Sequence, residues 1–362
     1  MTNIVKKYYE EKAKKLAEWY NLRPILGNAN WALFYVLLGG REAGKSYSVT
    51  NFFVDQWKNK GIPFTWLRLT ETQARKLLQN NAEKLVDPDL RRKYNLDLTT
   101  SGNNVYEVTK RTPPDKNGKT KILEKKLMAR VYALSTFYTD KGSIFDKDFL
   151  KDPNMRYNIA CDEFEREKGE KNTFDILYSL VNQLENLVRS TKDRIKIFFL
   201  GNTLEDASDI LCAFNFIPET FGIFKLKSKR CVIHNIEPSE EYKKRRAGTI
   251  ADILMPTAST FTNKIETDET LITKKRLVEP SYVVKFTKNK QDWFTIWDGN
   301  IVKKYNNEKK TILAMRPYLD EVFNTDIQKN MITLFDTRSL LFTNLITFKQ
   351  FQKQIELLKP RK

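Results

Sequence analysis

A chain of 362 residues, 41% hydrophobic and 30% charged, is rich enough to bury a core and too long for a single one, which excludes a disordered polypeptide and points to two domains. Its 63 basic residues against 45 acidic ones leave a net charge of +18, an excess that favours a polyanionic partner, nucleic acid first. Three cysteines without a CxxC pair and a single histidine, His234, argue against a zinc centre and against Ser-His-Asp chemistry, and suit a reducing compartment. The longest apolar run, Trp31–Leu38, falls well short of a membrane span, and the charged N-terminus lacks a signal-peptide core, so a soluble, intracellular protein is expected.

Ile4, Tyr8, Leu16 and Tyr20 recur near helical spacing and predict an amphipathic helix ending before Pro24. Residues 33–38 predict a buried strand. A helix follows Ser46 as far as Lys60, stopped by Gly61, and FTWLRL at 64–69 is the next strand. Strand, helix and strand in so short a span form a βαβ unit and imply a parallel sheet. A helix is expected over 70–85. Residues 104–109 and 121–134 read as strands of a long hairpin around a basic tip, KRTPPDKNGKT, at 110–120.

MRYNIACDEF at 155–164 is an apolar strand ending in two acids, residues 173–189 are helical, and RIKIFFLGNT at 194–203 is another apolar strand. After about residue 208 the texture changes. Residues 209–235 are mixed, and EEYKKRRAG at 240–248 is a charged helix or a linker. Residues 281–305 alternate as antiparallel strands do, with turns at 288–290 and 298–300, and 348–362 are mostly helical. The expected division is a nucleotide-binding domain over 1–208, a linker region over 209–245 and a smaller α+β domain over 246–362.

One stretch carries the chemistry. Gly39-x-x-x-x-Gly44-Lys45-Ser46, between a strand and a helix, fits GxxxxGK[ST]. Gly39, Gly40 and Gly44 let the loop curl so that backbone N–H groups face phosphates, and the helix adds its positive N-terminal end. Lys45 then reaches the β- and γ-phosphates of ATP, and Ser46 ligates Mg2+. The second apolar strand supplies the acids: Asp162 to hold Mg2+ through water, Glu163 as the base that aligns the attacking water. Asn202, ending the strand at 194–203, is the candidate sensor of the γ-phosphate, with a plain turn residue as the alternative. An acid-bearing strand lying in the sheet between the P-loop strand and strand 64–69 would make this a P-loop NTPase of the ASCE type.

Other groups are less determined. Arg189 and Arg194 are candidates for an arginine acting on a neighbouring subunit's nucleotide, and Arg41 is a further candidate inside the loop. Arg68 is placed either to report on the phosphates or to pair with Glu71 or Glu163. For gripping DNA, Lys110, Arg111, Lys116, Lys119, Lys121, Lys125, Lys126 and Lys141 are the candidates, through phosphate contacts that ignore sequence and weaken with salt; a lysine-rich solvated loop is the alternative.

GGREAGKSYSV, FTWLRL, LSTFYTDKGSIF, IACDEFEREK and RIKIFFLGNT, in this order and at these spacings, resemble the DNA-packaging ATPases of phi-29-like phages. The resemblance covers roughly residues 30–205 and continues more faintly over 280–305. It implies a homomeric ring of five subunits, docked in the host cytoplasm at the portal vertex of a procapsid and pumping double-stranded DNA inward. It also implies an ASCE ATPase domain, a small linker and a C-terminal domain of RNase H-like shape. By the same resemblance Lys45 and Ser46 match the phosphate-binding pair, Asp162 and Glu163 the metal and catalytic acids, and Arg41 the loop arginine. Arg189 matches the trans-acting finger only after a one-residue shift, which leaves Arg194 open.

Larger packaging ATPases carry a two-metal nuclease, which needs clustered acids. Residues 282–287 contain none, and Asp292 and Asp298 sit at turn positions, so no nuclease activity is expected. The C-terminal domain would then bind DNA or a structural RNA through lysines such as Lys285, Lys288, Lys290, Lys303 and Lys304. Two other functions fit the same core: a helicase, which would prefer single strands and stack bases on aromatic side chains, and a nucleotide-gated scaffold that never hydrolyses.

Overall fold

The computed structural model describes residues 19–136, 156–165, 175–188, 194–202, 208–257, 262–263, 269–286, 292–305, 319–321 and 325–359. The chain divides into two compact units, Met1–Glu205 with Pro218–Ile265, and Asp206–Ile217 with Glu266–Lys362. The helix expected over 4–20 falls outside the described residues except for Trp19 and Tyr20, which are not helical.

The first unit is built on a nine-stranded sheet. In chain order it contains α1 (Arg23–Asn28), β1 (Phe34–Leu38), α2 (Lys45–Lys60), β2 (Phe64–Arg68), α3 (Glu71–Ala82), α4 (Pro88–Tyr94), β3 (Leu98–Ser101), β4 (Asn104–Arg111), β5 (Ile122–Ala133), β6 (Tyr157–Asp162), α5 (Ile176–Val188), β7 (Ile195–Gly201), β8 (Gly222–Leu226), β9 (Cys231–Asn235) and α6 (Glu240–Arg246). The strand order is β3-β4-β5-β2-β6-β7-β1-β9-β8. From β9 to β5 every neighbouring pair is parallel, with Val36 of β1 opposite Phe199 of β7 on one side and Ile233 of β9 on the other. Parallel strands covered on both faces need unbroken apolar runs, and β6 has all six of its residues buried.

The acid-bearing β6 thus lies between β1 and β2, as the ASCE arrangement requires. A further strand, β7, separates it from β1. The hairpin β4–β5 joins the same sheet, β5 pairing parallel to β2 and antiparallel to β4. Trp57 Nε1 and Lys58 Nζ, both on α2, donate to the Glu107 carboxylate on β4 at 2.6 and 2.8 Å and fasten the hairpin to the core.

Helix α2 buries Val49, Phe53, Val54 and Trp57, spaced to share one face. The Phe53 ring lies 5.2 Å from Phe64, 6.0 Å from Trp66 and 5.3 Å from Phe198, so this one side chain reaches both β2 and β7. Truncating such a residue typically costs about 3–5 kcal/mol. A capping box at Thr70 and Gln73 starts α3. The helix ends before the expected residue 85 because Asn80 and Asn81 take φ of 50° and 57° and turn the chain out of helical geometry.

Residues 209–245 are not the linker that their mixed composition suggests. Strands β8 and β9 within them extend the large sheet, and β9 is the direct neighbour of β1. The run Cys231-Val-Ile-His-Asn is short, and its pairing partner lies some two hundred residues earlier, so its local pattern does not reveal it.

The second unit carries a five-stranded sheet of order β13-β10-β11-β12-β14, from β10 (Pro280–Lys285), β11 (Trp293–Trp297), β12 (Ile301–Lys304), β13 (Leu319–Glu321) and β14 (Leu341–Phe342). Strands β10, β11 and β12 form an antiparallel meander, as the alternation predicts. Helices α7 (Thr325–Asp336) and α8 (Leu345–Leu358) follow. Phe286, Phe294, Phe342 and Phe351 are buried together, the Phe351 ring lying 5.2, 5.1 and 5.6 Å from the other three. Among the described residues no helix is long and apolar enough to cross a membrane.

Candidate nucleotide site

Strand β1 delivers the chain at Gly39 to a loop at the C-terminal edge of the sheet, the edge where parallel α/β folds bind ligands. Gly44 takes φ of +89°, a left-handed conformation that a side chain resists, and an added Cβ would lie 3.0 Å from the Trp19 ring. Helix α2 starts at the next residue, so its unpaired N–H groups and positive end face the space the loop encloses. The Lys45 ammonium donates to the carbonyls of Gly39 (2.9 Å) and Gly40 (2.8 Å) and to the Asn202 side-chain oxygen (3.3 Å). Burial pushes its pKa down to about 8, with Asp162 and then Glu163 pulling the other way.

The acids arrive from β6. Ser46 Oγ donates to Asp162 Oδ1 at 3.2 Å. Burial raises the Asp162 pKa, and the Arg68 guanidinium opposes that shift. Arg68, the last residue of β2, places its two terminal nitrogens 2.9 Å from Asp162 Oδ2 and 2.5 Å from Glu163 Oε2. The two carboxylates differ in access, Asp162 being 7% and Glu163 44% exposed at the side chain. Glu163 holds φ of 54° while its N–H donates to the Leu200 carbonyl at 2.8 Å, so the chain turns sharply where the sheet ends. A non-glycine residue in that region stores strain of about 1–3 kcal/mol, commonly at functional positions.

Ser46 and Asp162 bring a hydroxyl and a carboxylate oxygen together at the mouth of the loop, and Asp162 is a buried carboxylate that shares the Arg68 guanidinium with Glu163. Mg2+ takes one or two protein oxygens with phosphate oxygens and water, so these residues fit it.

Gly201 precedes Asn202 and is dictated by close approach: a Cβ there would sit 2.8 Å from the Phe164 ring. Its backbone also tethers the loop, since Gly39 N–H donates to the Gly201 carbonyl at 3.3 Å. Asn202 is therefore beside Lys45 because β7 is the immediate neighbour of β1.

Sequence reasoning missed a further set of contacts on the outer side of the loop. Tyr242 of α6 donates to the Arg41 carbonyl at 2.8 Å, Arg245 to the Glu42 carbonyl at 2.7 Å, and Arg246 to the Glu42 carboxylate at 2.5 Å. The Arg245 guanidinium lies 3.8 Å over the Trp19 ring, and Tyr20 N–H donates to the Ala43 carbonyl at 2.9 Å. The acids and bases of EEYKKRR are what any solvated helix shows, so only Tyr242, buried among charges, signals a second role.

Arg41 is exposed on the loop. Arg194 directly precedes β7, whose far end carries Asn202, so it lies at the opposite edge of the sheet, about 20 Å or more from its own chain's site. Arg189 and Lys141 fall outside the described residues. Of the hairpin cations, Lys110, Arg111, Lys116, Lys119, Lys121, Lys125 and Lys126 are all exposed. Arg111 makes a two-pronged pair with Asp97 at 2.6 and 2.9 Å, Lys110 lies 3.9 Å from Glu124, and the Lys125 ammonium lies 4.2 Å over the Tyr106 ring.

In the second unit Lys285 is buried with its ammonium 4.7 Å over Trp293, and Lys304 lies 4.5 Å over Phe294. Both cover aromatic surface instead of standing free for nucleic acid, which corrects the expectation for these two. Lys303 is exposed, and Lys288 and Lys290 lie outside the described residues. Asp298 accepts from the N–H groups of Val278 and Glu279 at 3.2 and 2.8 Å, and Gln354 donates to Asp292 at 3.3 Å.

No family model matches the chain. It is 20% identical over 258 residues to the DNA packaging protein of Bacillus phage phi29, an alignment spanning 70% of this chain and 68% of that protein, and to the same degree to the DNA packaging protein of Bacillus phage PZA. The bacteriophage Phi-29 viral genome packaging motor assembly superposes with a TM-score of 0.60 at 17% identity, covering 94% of this chain and 100% of that one. The chain shares the fold of the phi29 packaging motor. The Phi-28 DNA packaging motor also matches with a TM-score of 0.60, at 16% identity over 96% of this chain and 99% of that one. The resemblance read from the motifs of β1, β2, β6 and β7 thus extends to the second unit, where the sequence similarity is faint.

Proposed function

We propose that this protein is an ATP-driven translocase of double-stranded DNA that fills a viral procapsid. The observation that carries the reading is the convergence of Lys45, Ser46, Asp162, Glu163 and Asn202 at one edge of a sheet ordered β9-β1-β7-β6-β2. The phi29 likeness supports the direction of the work, DNA into a capsid.

In this reading the loop amides and the α2 N-terminus hold the α- and β-phosphates, and Lys45 exchanges the carbonyls of Gly39 and Gly40 for β- and γ-phosphate oxygens. Ser46 and Asp162 hold Mg2+, which when bound neutralises charge on the transferring phosphoryl group. Glu163, the accessible acid, takes the proton of the attacking water. Asn202, already 3.3 Å from the Lys45 ammonium, detects whether the γ-phosphate is present. An arginine from a neighbouring subunit, Arg189 or Arg194, completes the transition-state charge.

The subunits form a ring, five in number by analogy with the resembled family, at the portal vertex in the host cytoplasm. The basic hairpin grips phosphates, and the second unit serves as a binding module for DNA or a structural RNA. Its meander with β13 parallel beside β10 has the order of the first four strands of an RNase H-like sheet, which supports that expectation for its shape.

Glu163→Gln tests the core of the reading. The variant should bind ATP as the wild type does and lose at least about a hundredfold in DNA-stimulated turnover. Unchanged turnover would sink the hydrolytic role. Stimulation by single-stranded DNA in preference to duplex would replace the translocase by a helicase.

A further inference from the structure

Arg68 does more here than close a salt bridge. It ends β2, with a side chain only 14% exposed, and divides its terminal nitrogens between Asp162 (2.9 Å) and Glu163 (2.5 Å). Its Nε is buried without a hydrogen-bond partner among the described residues. A guanidinium at rest in an optimal structural pair satisfies all its N–H groups, and an orphaned one costs free energy. Asp162 meanwhile receives Ser46 on its other oxygen, so the arginine occupies the one carboxylate face left over.

Asp162 is the buried acid that the nucleotide's metal needs, and Glu163 the exposed acid that water needs. Both are held by one tethered cation. A divalent metal on buried Asp162 and a guanidinium 2.9 Å from the same carboxylate repel one another. The metal therefore has to displace the arginine, and an incoming triphosphate offers that arginine new anionic partners.

We propose that Arg68 is a tethered counter-cation that competes with the divalent metal for Asp162 and Glu163, so that metal and phosphates arriving together are needed to release Glu163 to work. This inference rests on the reading of the pocket as a metal–nucleotide site. Metal alone then binds poorly to the wild type, and Glu163 stays sequestered until the phosphates are seated.

The test measures Mn2+ binding to the full chain by electron paramagnetic resonance, with and without ADP, for wild type, Arg68→Gln and Arg68→Lys. Thermal unfolding of each variant checks that it folds. Without nucleotide, Arg68→Gln should bind Mn2+ about tenfold more tightly than wild type, the effect of a pair coupling of about 1.4 kcal/mol. Arg68→Lys, which keeps a charge but loses the two-pronged reach, should fall between them. With ADP the difference should shrink, because the wild-type arginine is then already displaced. Equal or weaker Mn2+ binding by Arg68→Gln without nucleotide, or by Arg68→Lys should the glutamine variant unfold, overturns the inference and leaves the site reading intact. If wild type with ADP binds no Mn2+, or Asp162→Asn binds it equally well, the metal–nucleotide reading itself is lost and the inference with it.

Discussion

The Tyr242 hydroxyl donates a 2.8 Å hydrogen bond to the Arg41 carbonyl across 201 residues of sequence. A helix that follows the last strand of the sheet thereby fixes the glycine-rich loop that follows its first. With Arg245 and Arg246 on Glu42, the contact holds in place a loop whose Glu42 itself has φ of 61°. Tyr242→Phe removes only the hydroxyl. A net hydrogen bond of about 1 kcal/mol should appear as about fivefold weaker ADP binding in isothermal titration, with the fold unchanged. Undiminished affinity would mean that the loop holds its shape unaided.

Gly201 should be intolerant of even one methyl group. Its Cβ would meet Phe164 at 2.8 Å, and Phe164 directly follows Glu163. Gly201→Ala should destabilise the protein by about 1–3 kcal/mol, as overpacking does, and displace the acids from the loop. Turnover should fall by more than nucleotide affinity does. A wild-type kcat would show that the ring yields without moving Glu163.

His234 gives the acid limb of stability a traceable source. Burial pushes its pKa down to about 4, against 6.5 when exposed. Below pH 6.5 the unfolded chain takes up a proton that the folded chain refuses, so stability falls as pH drops from 6.5 towards 4. His234→Gln removes this contribution. Between about pH 7.5 and about pH 5 the wild type should lose up to about 2 kcal/mol more than the variant in urea unfolding. Identical losses would place the histidine in water.

On the hairpin, Lys116, Lys119, Lys121 and Lys126 are exposed, while Arg111 is engaged with Asp97. Changing these four lysines to glutamine should weaken duplex binding equally for all sequences. The slope of log K against log salt should flatten by up to about 0.9 for each phosphate that the hairpin no longer neutralises. A slope that does not change assigns the DNA grip to another surface.

Much of this site is local and legible in the sequence. Gly39 to Ser46 specify a loop by backbone freedom and charge. The unbroken apolar runs before Asp162 and Asn202 specify buried parallel strands that end in polar residues, and the alternation over 281–305 specifies an antiparallel meander. Short-range periodicity fixes each of these because it reflects which faces of one segment are buried. Tertiary structure alone decided the rest. Strand order put β7 beside β1 and so brought Asn202 to Lys45; pairing with β1 turned the supposed linker segment Cys231–Asn235 into core; folding back set α6 against the glycine-rich loop. It also decided which cations face solvent: Lys285 and Lys304 read as surface charge, yet they lie against Trp293 and Phe294. Such pairings join segments whose own patterns are satisfied by many partners. Their choice rests on the packing of the whole sheet, which no window of the sequence contains.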